Sequence, residues 1–431
     1  MKGMSSPSPT GKRAGFYYGW VIVALSFLTL AFHVMSRFSF SIFYVAMLEE
    51  YGWSRGLLAG AYSLGMFTYA LASPFMGVAL DRVGPRRLFP LASAVLGGGL
   101  LAMGFTAHLA WVYFFVGMVM PLGLSASGFG NHSAIMPRWF ERRRGQATGI
   151  ALAGIGVGLL LLAPTLQRLI EAYGWRRTYL LYGLAVTLLI LPLNLLFMRD
   201  RPEDLGLGRD GLVPSPAPSG AAPRPAERPA GLVRNFLALR RDRRFWFLLF
   251  LVFAIGLSNN LVLVHMVAYL VDAGFPKLLA AFVFGLVGVI RTGGSVLGGL
   301  VSDLLGRQRA AALASLFVAG GVSLLMGLAV LPHPYAYLFA LVFGVGFGAM
   351  STCYAATVGD FFQGANLGTI MGTLEVFYGL GGVLGPWLAG SLFDWTGSYQ
   401  LSFGGVILLM LAVAALCLRM APRGAPAAAP G

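Results

Sequence analysis

The sequence predicts an all-α integral membrane protein, with twelve transmembrane helices arranged as two pseudo-symmetric six-helix bundles. Three observations predict it. First, apolar residues make up 57% of the 431-residue chain and charged residues 11%, against roughly 25% charged in a soluble domain. Second, twelve apolar segments are each long enough for the roughly 20 residues that cross a hydrocarbon core. Third, the second six segments repeat landmarks of the first.

The segments lie at about 17–47, 55–80, 88–107, 110–136, 145–170, 178–198, 245–272, 278–302, 310–330, 335–359, 366–393 and 399–418. The first is too long for the apolar stretch of a signal peptide and lacks a small-residue cleavage site, so it reads as a retained span. Residues 201–241 separate six segments from six. They contain Pro214, Pro216, Pro218, Pro223 and Pro225 among Ala and Arg, the composition of an aperiodic tether. The expected organisation is a tail at 1–15, a bundle at 16–200, the linker at 201–241, a second bundle at 242–420 and a tail at 421–431.

The repeat is clearest in one short loop. Gly77…Asp81-Arg82…Gly84…Arg86-Arg87 recurs as Gly299…Asp303…Gly306-Arg307…Arg309, with Gly77 and Gly299 222 residues apart. Gly52 and Gly274 keep the same 222 offset, while Gly149/Gly372 and Gly174/Gly397 stand 223 apart. A duplicated membrane domain predicts a central site where its halves meet, the architecture of a carrier.

The net charge of +15 is a topology signal. Of 31 Lys and Arg, 24 fall in the termini and even-numbered loops, five in odd-numbered loops and two inside segments. The positive-inside rule then makes both termini and the even loops cytoplasmic, with no nucleic-acid partner implied. Contact with anionic lipid is a secondary expectation. Cys353 and Cys417 lie in separate segments, so neither a disulfide framework nor a metal site is implied. No cofactor motif, nucleotide signature or paired catalytic constellation is visible, which argues against an enzyme.

Polar residues inside the spans are the functional candidates. An arginine at mid-bilayer costs about 2.5 kcal/mol or more. Arg291 sits mid-segment among Gly288, Gly293 and Gly294, and its planar fork matches a carboxylate. A structural ion pair with Glu375 is the competing reading. Arg37, near His33, Ser36 and Ser39, is a second anchor, a gating residue or a snorkelling cation. Glu375 carries a proton or serves as a fixed partner of an arginine. His265 could bond substrate or titrate. Asn131 and His132, before Pro137, form a similar polar pair nearer the cytoplasmic end, with Asn131 a substrate-binding candidate; Asn259 and Asn260 add polar lining. Asp81 and Asp303, with Arg82, Arg86 and Arg307, are expected to act in gating with Gly77 and Gly299. Small-residue runs at Gly149, Gly154, Gly156 and Gly158 suit sliding contact or static tight packing.

Twelve segments as six plus six, with the loop motif Gly77…Asp81-Arg82…Gly84…Arg86-Arg87 present twice, resemble the major facilitator superfamily. A narrower resemblance is to the monocarboxylate transporters. It rests on Gly19-Trp20, on Trp139-Phe140-Glu141-Arg142-Arg143 running into Ala147…Gly149…Ala151…Ala153-Gly154, and on Glu375-Val376 with Leu384-Gly385-Pro386. The oxalate/formate antiporters look like near relatives. The resemblance implies rocking-bundle transport of a small monocarboxylate such as lactate or pyruvate with a proton, by a monomer in a bacterial inner membrane. It makes Arg291 the carboxylate anchor and Arg144 a gate contact. The chain departs from the family at Val287, where animal members carry a proton-linked Asp, and at Thr148, where the family has Asn. The oxalate/formate reading is the alternative; that group has a Lys in the eleventh helix, where this chain has Glu375 and no Lys or Arg.

Overall fold

In the computed structural model, residues 17–211, 242–361 and 367–420 are described. The two tails and most of the 201–241 linker lie outside them. Among the described residues, twelve helical spans follow one another: α1 (Gly19–Tyr51), α2 (Arg55–Val83), α3 (Pro85–Met103), α4 (Leu109–Trp139), α5 (Arg144–Tyr173), α6 (Trp175–Phe197), α7 (Arg243–Asp272), α8 (Lys277–Leu305), α9 (Arg307–Gly327), α10 (Tyr335–Phe361), α11 (Leu367–Thr396) and α12 (Gln400–Met420). Eleven are long and apolar enough to cross a membrane by length and composition. The exception is α3, because Pro85, Arg86 and Arg87 occupy its first turn and lower its hydropathy.

Three of the repeated glycine pairs are helix stops. Gly52 and Gly274 have φ of 61° and 86°, Gly84 and Gly306 of 81° and 85°, Gly174 and Gly397 of 80° and 70°. A side chain strains in this left-handed region, so glycine is the residue that ends one span and reverses into the next. Ser54 caps α2 through the Leu57 amide, and Asp242 caps α7 through the Arg244 amide.

Each half buries its own apolar face, and the halves meet chiefly along two helix pairs, α5 with α8 and α2 with α11, with the end of α1 against α7 as a third. Small residues allow these close approaches. A Cβ on Gly285 would strike the Leu159 backbone, and one on Gly390 the Arg55 backbone. Within the halves, Gly154 lies against Phe27 and Gly256 against Tyr378 in the same way. With no hydrophobic drive between helices in lipid, such backbone approach supplies the packing energy.

The helices bend where prolines remove donors. A π-helical turn at Phe115–Val119 precedes Pro121, and another at Val186–Ile190 precedes Pro192. The helix α4 is also interrupted between Ala126 and Phe129. The Asn131 amide donates to the freed carbonyls of Ser125 and Ala126 at 3.2 and 2.8 Å. This keeps the backbone satisfied at membrane depth.

A buried polar cluster of the first half meets this break. The His33 ring bonds Ser127 Oγ, inside the interruption, and Ser93 Oγ at 3.2 Å. Asn194 Nδ2 donates to Thr29 Oγ1 at 3.0 Å. Four helices, α1, α3, α4 and α6, are tied together through these groups.

The first residues of the linker, 201–211, are held by hydrogen bonds. Asp204 accepts from the Arg201 amide, and Asp210 Oδ2 accepts from the amides of Glu141 and Arg142 at 2.9 and 2.8 Å. Asp210 pins the segment to the α4–α5 loop. Tyr17, half-buried beside Asp210, has its hydroxyl pKa pushed up to about 12 by burial and by that carboxylate.

Ser127→Val removes a partner of a fully buried histidine. The expected cost is about 1–3 kcal/mol, seen as a lower thermal midpoint of the purified protein. Ser125→Ala, whose hydroxyl returns only to its own helix at Leu122, should change the midpoint far less. Equal shifts would contradict the role given to the cluster.

Candidate functional site

Two arginines approach the space between the halves. Arg291, in the middle of α8, is half-buried, with its guanidinium 4.3 Å from the Phe347 ring centre on α10. Among the described residues its guanidinium has no hydrogen-bond or ion-pair partner. The alternative of a structural pair with Glu375 is therefore not what forms here. Arg37 comes from α1. Its guanidinium contacts Met66 Sδ and lies 3.5 Å from Asn260 Oδ1. It also stacks 5.1 Å from the Tyr69 ring centre, and its buried Nε is unpaired. Tyr378 on α11 is within electrostatic reach of both cations.

Polar groups of both halves complete this layer. Tyr62 donates to Asn260 Oδ1 at 3.1 Å, and the Asn260 amide returns to the Gly256 carbonyl at 2.8 Å. Asn260 therefore joins α2, α7 and Arg37. Glu375 is exposed and within electrostatic reach of Arg37 and Tyr354. Among the described residues, Asn259 Nδ2 is buried without a partner. The site thus offers two guanidiniums, one accessible carboxylate and a wall of Tyr62, Tyr69, Tyr378 and Phe347. Cationic forks and aromatic faces suit a small organic anion.

His265 is placed elsewhere. Its Nδ1 meets the Tyr399 hydroxyl at 3.0 Å and its Nε2 the Pro386 carbonyl at 2.8 Å. Tyr399 in turn accepts from Arg55 Nη1 at 2.9 Å. The consistent assignment has Arg55 donating to Tyr399, Tyr399 to His265 Nδ1, and His265 Nε2–H to Pro386. The ring is fully engaged, away from the arginine pair. Asn131 likewise spends its amide on the α4 break, and His132 packs 4.3 Å from Phe89 with both ring nitrogens buried and, among the described residues, unbonded.

The sequence does not announce the network around Arg55, one of the five odd-loop cations. Arg55 makes a bidentate pair with Asp272 at 2.6 and 3.0 Å. Asp394 accepts from the amides of Arg55 and Gly56, both at 2.7 Å. A carboxylate of the second half therefore caps a helix of the first, where the helix dipole favours it. Lys277 pairs with Glu49 at 2.6 Å. Ser41 donates to the carbonyls of Leu263 and Val264; Ser41 and Leu263 are 222 apart, so this contact marks the pseudo-two-fold axis. All of these join the halves on the odd-loop side.

The even-loop ion pairs stay within one half. Arg138 bonds Asp81 at 3.0 Å. Arg307 bonds Asp303 at 2.5 Å and Asp360 at 3.1 Å. Arg82, Arg86 and Arg144 are exposed, and Gly77 and Gly299 are half-buried near these helix ends. Of the residues expected to gate, Asp303 and Arg307 are brought together, whereas Asp81 pairs with Arg138.

Comparison with known proteins agrees with this architecture. The model of the Major Facilitator Superfamily matches residues 26–372 and 294–431. The chain is 26% identical to rat monocarboxylate transporter 13, over 91% of this chain and 87% of that protein. It is 28% identical to human monocarboxylate transporter 11, over 94% and 83%. It is 23% identical to the uncharacterised transporter YcxA of Bacillus subtilis, over 89% and 90%. Among solved structures, a point mutant of the nucleoside transporter NupG superposes with a TM-score of 0.73 at 11% identity, covering 94% of this chain and 99% of that one. A bacterial homologue of the lysosomal transporter Spinster, inward-facing and unoccupied, gives 0.67 at 14% identity, covering 94% and 96%. Helices, duplication and family model converge, and the chain belongs to the major facilitator superfamily of multi-pass membrane transporters.

Proposed function

We propose that this transporter moves a small monocarboxylate, lactate- or pyruvate-like, together with a proton, by alternating access between the two halves. The observation that carries this reading is Arg291: a cation in the middle of a spanning helix, half-buried and unpaired among the described residues. An unmatched guanidinium at membrane depth is costly, and a substrate carboxylate would offset that cost through a charge-assisted bidentate pair. The similarity to monocarboxylate transporters 11 and 13 points to the same substrate class.

In this account Arg291 anchors the carboxylate and Arg37, held by Asn260 and Tyr69, supplies the opposing wall. Glu375 is the proton carrier on α11. His265 moves from substrate contact to the odd-loop closure, and Asn131 to the support of α4. Gly77, Asp81, Arg82, Arg86, Arg144, Gly299, Asp303 and Arg307 act at the even-loop gate. The even loops and termini are cytoplasmic, following the basic excess, in a bacterial inner membrane, and the monomer is the working unit.

A second reading, an exchanger of the oxalate/formate kind, is favoured by one observation. Arg37 and Arg291 lie in electrostatic reach of each other, so two carboxylates could be answered at once.

The deciding experiment is radiolabelled L-lactate uptake into proteoliposomes, with and without an inward proton gradient. The wild type should show gradient-stimulated uptake. Arg291→Ala should lose at least about tenfold, as expected when a charge-assisted bond worth about 1.5–3 kcal/mol is removed. Uptake seen only against preloaded oxalate or formate would favour the exchanger. Full uptake by the variant would remove Arg291 as anchor.

The odd-loop closure makes a separate prediction. Spin labels at Leu57→Cys on α2 and Leu401→Cys on α12, both more than half exposed, should report one dominant short distance. Adding Asp394→Asn should transfer population to a longer one. An unchanged distribution would show that the Asp394 cap does not hold the odd side shut.

A further inference from the structure

At the even-loop face, the start of α3 and the end of α6 leave a groove of about 510 Å³ between them. Its lining changes character along the helices. Arg86 and Arg87 stand at its mouth with Leu195 near the end of α6, and Pro90, Leu91 and Leu191 line it further in. At 1.5 Å per residue, Leu91 is about 6 Å deeper along α3 than Arg87, and Leu191 is about 9 Å before the end of α6. The groove is thus cationic at one end and apolar for at least a helical turn beyond.

Both arginines are exposed. Neither guanidinium has an ion pair or hydrogen bond among the described residues. Asp200, the carboxylate at this corner, has its Oδ1 on the Arg86 backbone amide at 2.9 Å, so the backbone takes that oxygen. The face is also the one that carries the chain's basic excess. Arg291 and Arg37 lie in the middle of α8 and α1, so this groove is distinct from the site between the halves.

From this arrangement we propose a binding site for one anionic diacyl phospholipid. Its phosphodiester bridges Arg86 and Arg87, and an acyl chain lies on Pro90, Leu91, Leu191 and Leu195. Guanidinium forks match phosphate oxygens, and basic pockets between spanning helices on the cytoplasmic side suit anionic head groups. Free phosphate would leave the apolar part of the groove unused. A choline head group would bring a cation against two cations. Arg86 closes the repeated motif that holds Asp81, so an occupied groove would also steady the loop from which Asp81 pairs with Arg138.

The test is native mass spectrometry of the full-length protein released from detergent and titrated with phosphatidylglycerol or phosphatidylcholine. The wild type should retain one phosphatidylglycerol with a preference of about tenfold or more. The double variant Arg86→Gln/Arg87→Gln should lose that preference, and the double Lys variant should recover part of it. Leu195→Trp keeps both arginines and fills the apolar part, and should also lose the bound lipid. Millimolar inorganic phosphate should not displace it. The proposal is overturned if the wild type shows no preference, if Leu195→Trp binds as the wild type does, which would mean annular contact only, or if phosphate alone displaces the lipid. None of these outcomes depends on which acid is transported.

Discussion

The transport site is built around an arginine held in the apolar middle of α8 with no counter-ion among the described residues. A guanidinium at that depth can be neutralised by a carboxylate of the protein, be drawn to water, or wait for a ligand. In the described structure Arg291 stacks on Phe347, and Glu375, the acidic side chain of α11 that could have paired with it, does not. Arg37 repeats the situation from the other half, with a buried Nε unpaired and its terminal nitrogen near Asn260 and Met66. Two underpaired cations facing one space make the protein a better partner for an anion than for an apolar or cationic solute.

The halves are joined unevenly, and this gives the cations their significance. On the odd-loop side, Arg55, Asp272, Asp394 and Tyr399 cross between the bundles, and His265 extends that chain of bonds to Pro386 on α11. On the even-loop side, Asp81 and Asp303 find partners within their own repeats. A state closed at one end and not tied by the same means at the other is what an alternating carrier requires of one of its two conformations. The glycines along α5 with α8 and α2 with α11 keep the two bundles near backbone contact. Such a seam suits the rigid-body rotation that the proposed alternating access requires.

Much of this was legible in the sequence because membranes impose simple rules. The twelve spans followed from apolar length, and the duplication from glycines whose offset is 222 or 223. The structure supplies the reason those glycines recur: each of the pairs at Gly52, Gly84 and Gly174 ends a helix at positive φ. Arg291, Arg37 and Glu375 were visible because charge inside a span is conspicuous. What could not be read were partners far apart in sequence. Arg55 and Asp394 are 339 residues apart, and nothing local in either segment announces the cap. His265 looked like a ligand because one sequence does not show that Tyr399 and Pro386 occupy its two nitrogens. The ordering of 201–211 escaped notice because Asp210 finds its donors in the α4–α5 loop. The marginal hydropathy of α3 reflects its two leading arginines, which sit at the membrane edge rather than within it.

The most direct test of the central claim is equilibrium binding of radiolabelled L-lactate to the purified protein, free of any gradient or transport step. Wild type, Arg291→Lys and Arg291→Gln should be compared at one pH. The account predicts saturable binding by the wild type, a weakened site in the Lys variant, where the charge remains but the fork is lost, and no measurable site in the Gln variant. Binding by Arg291→Gln with wild-type affinity would show that the carboxylate is held elsewhere and would contradict the account.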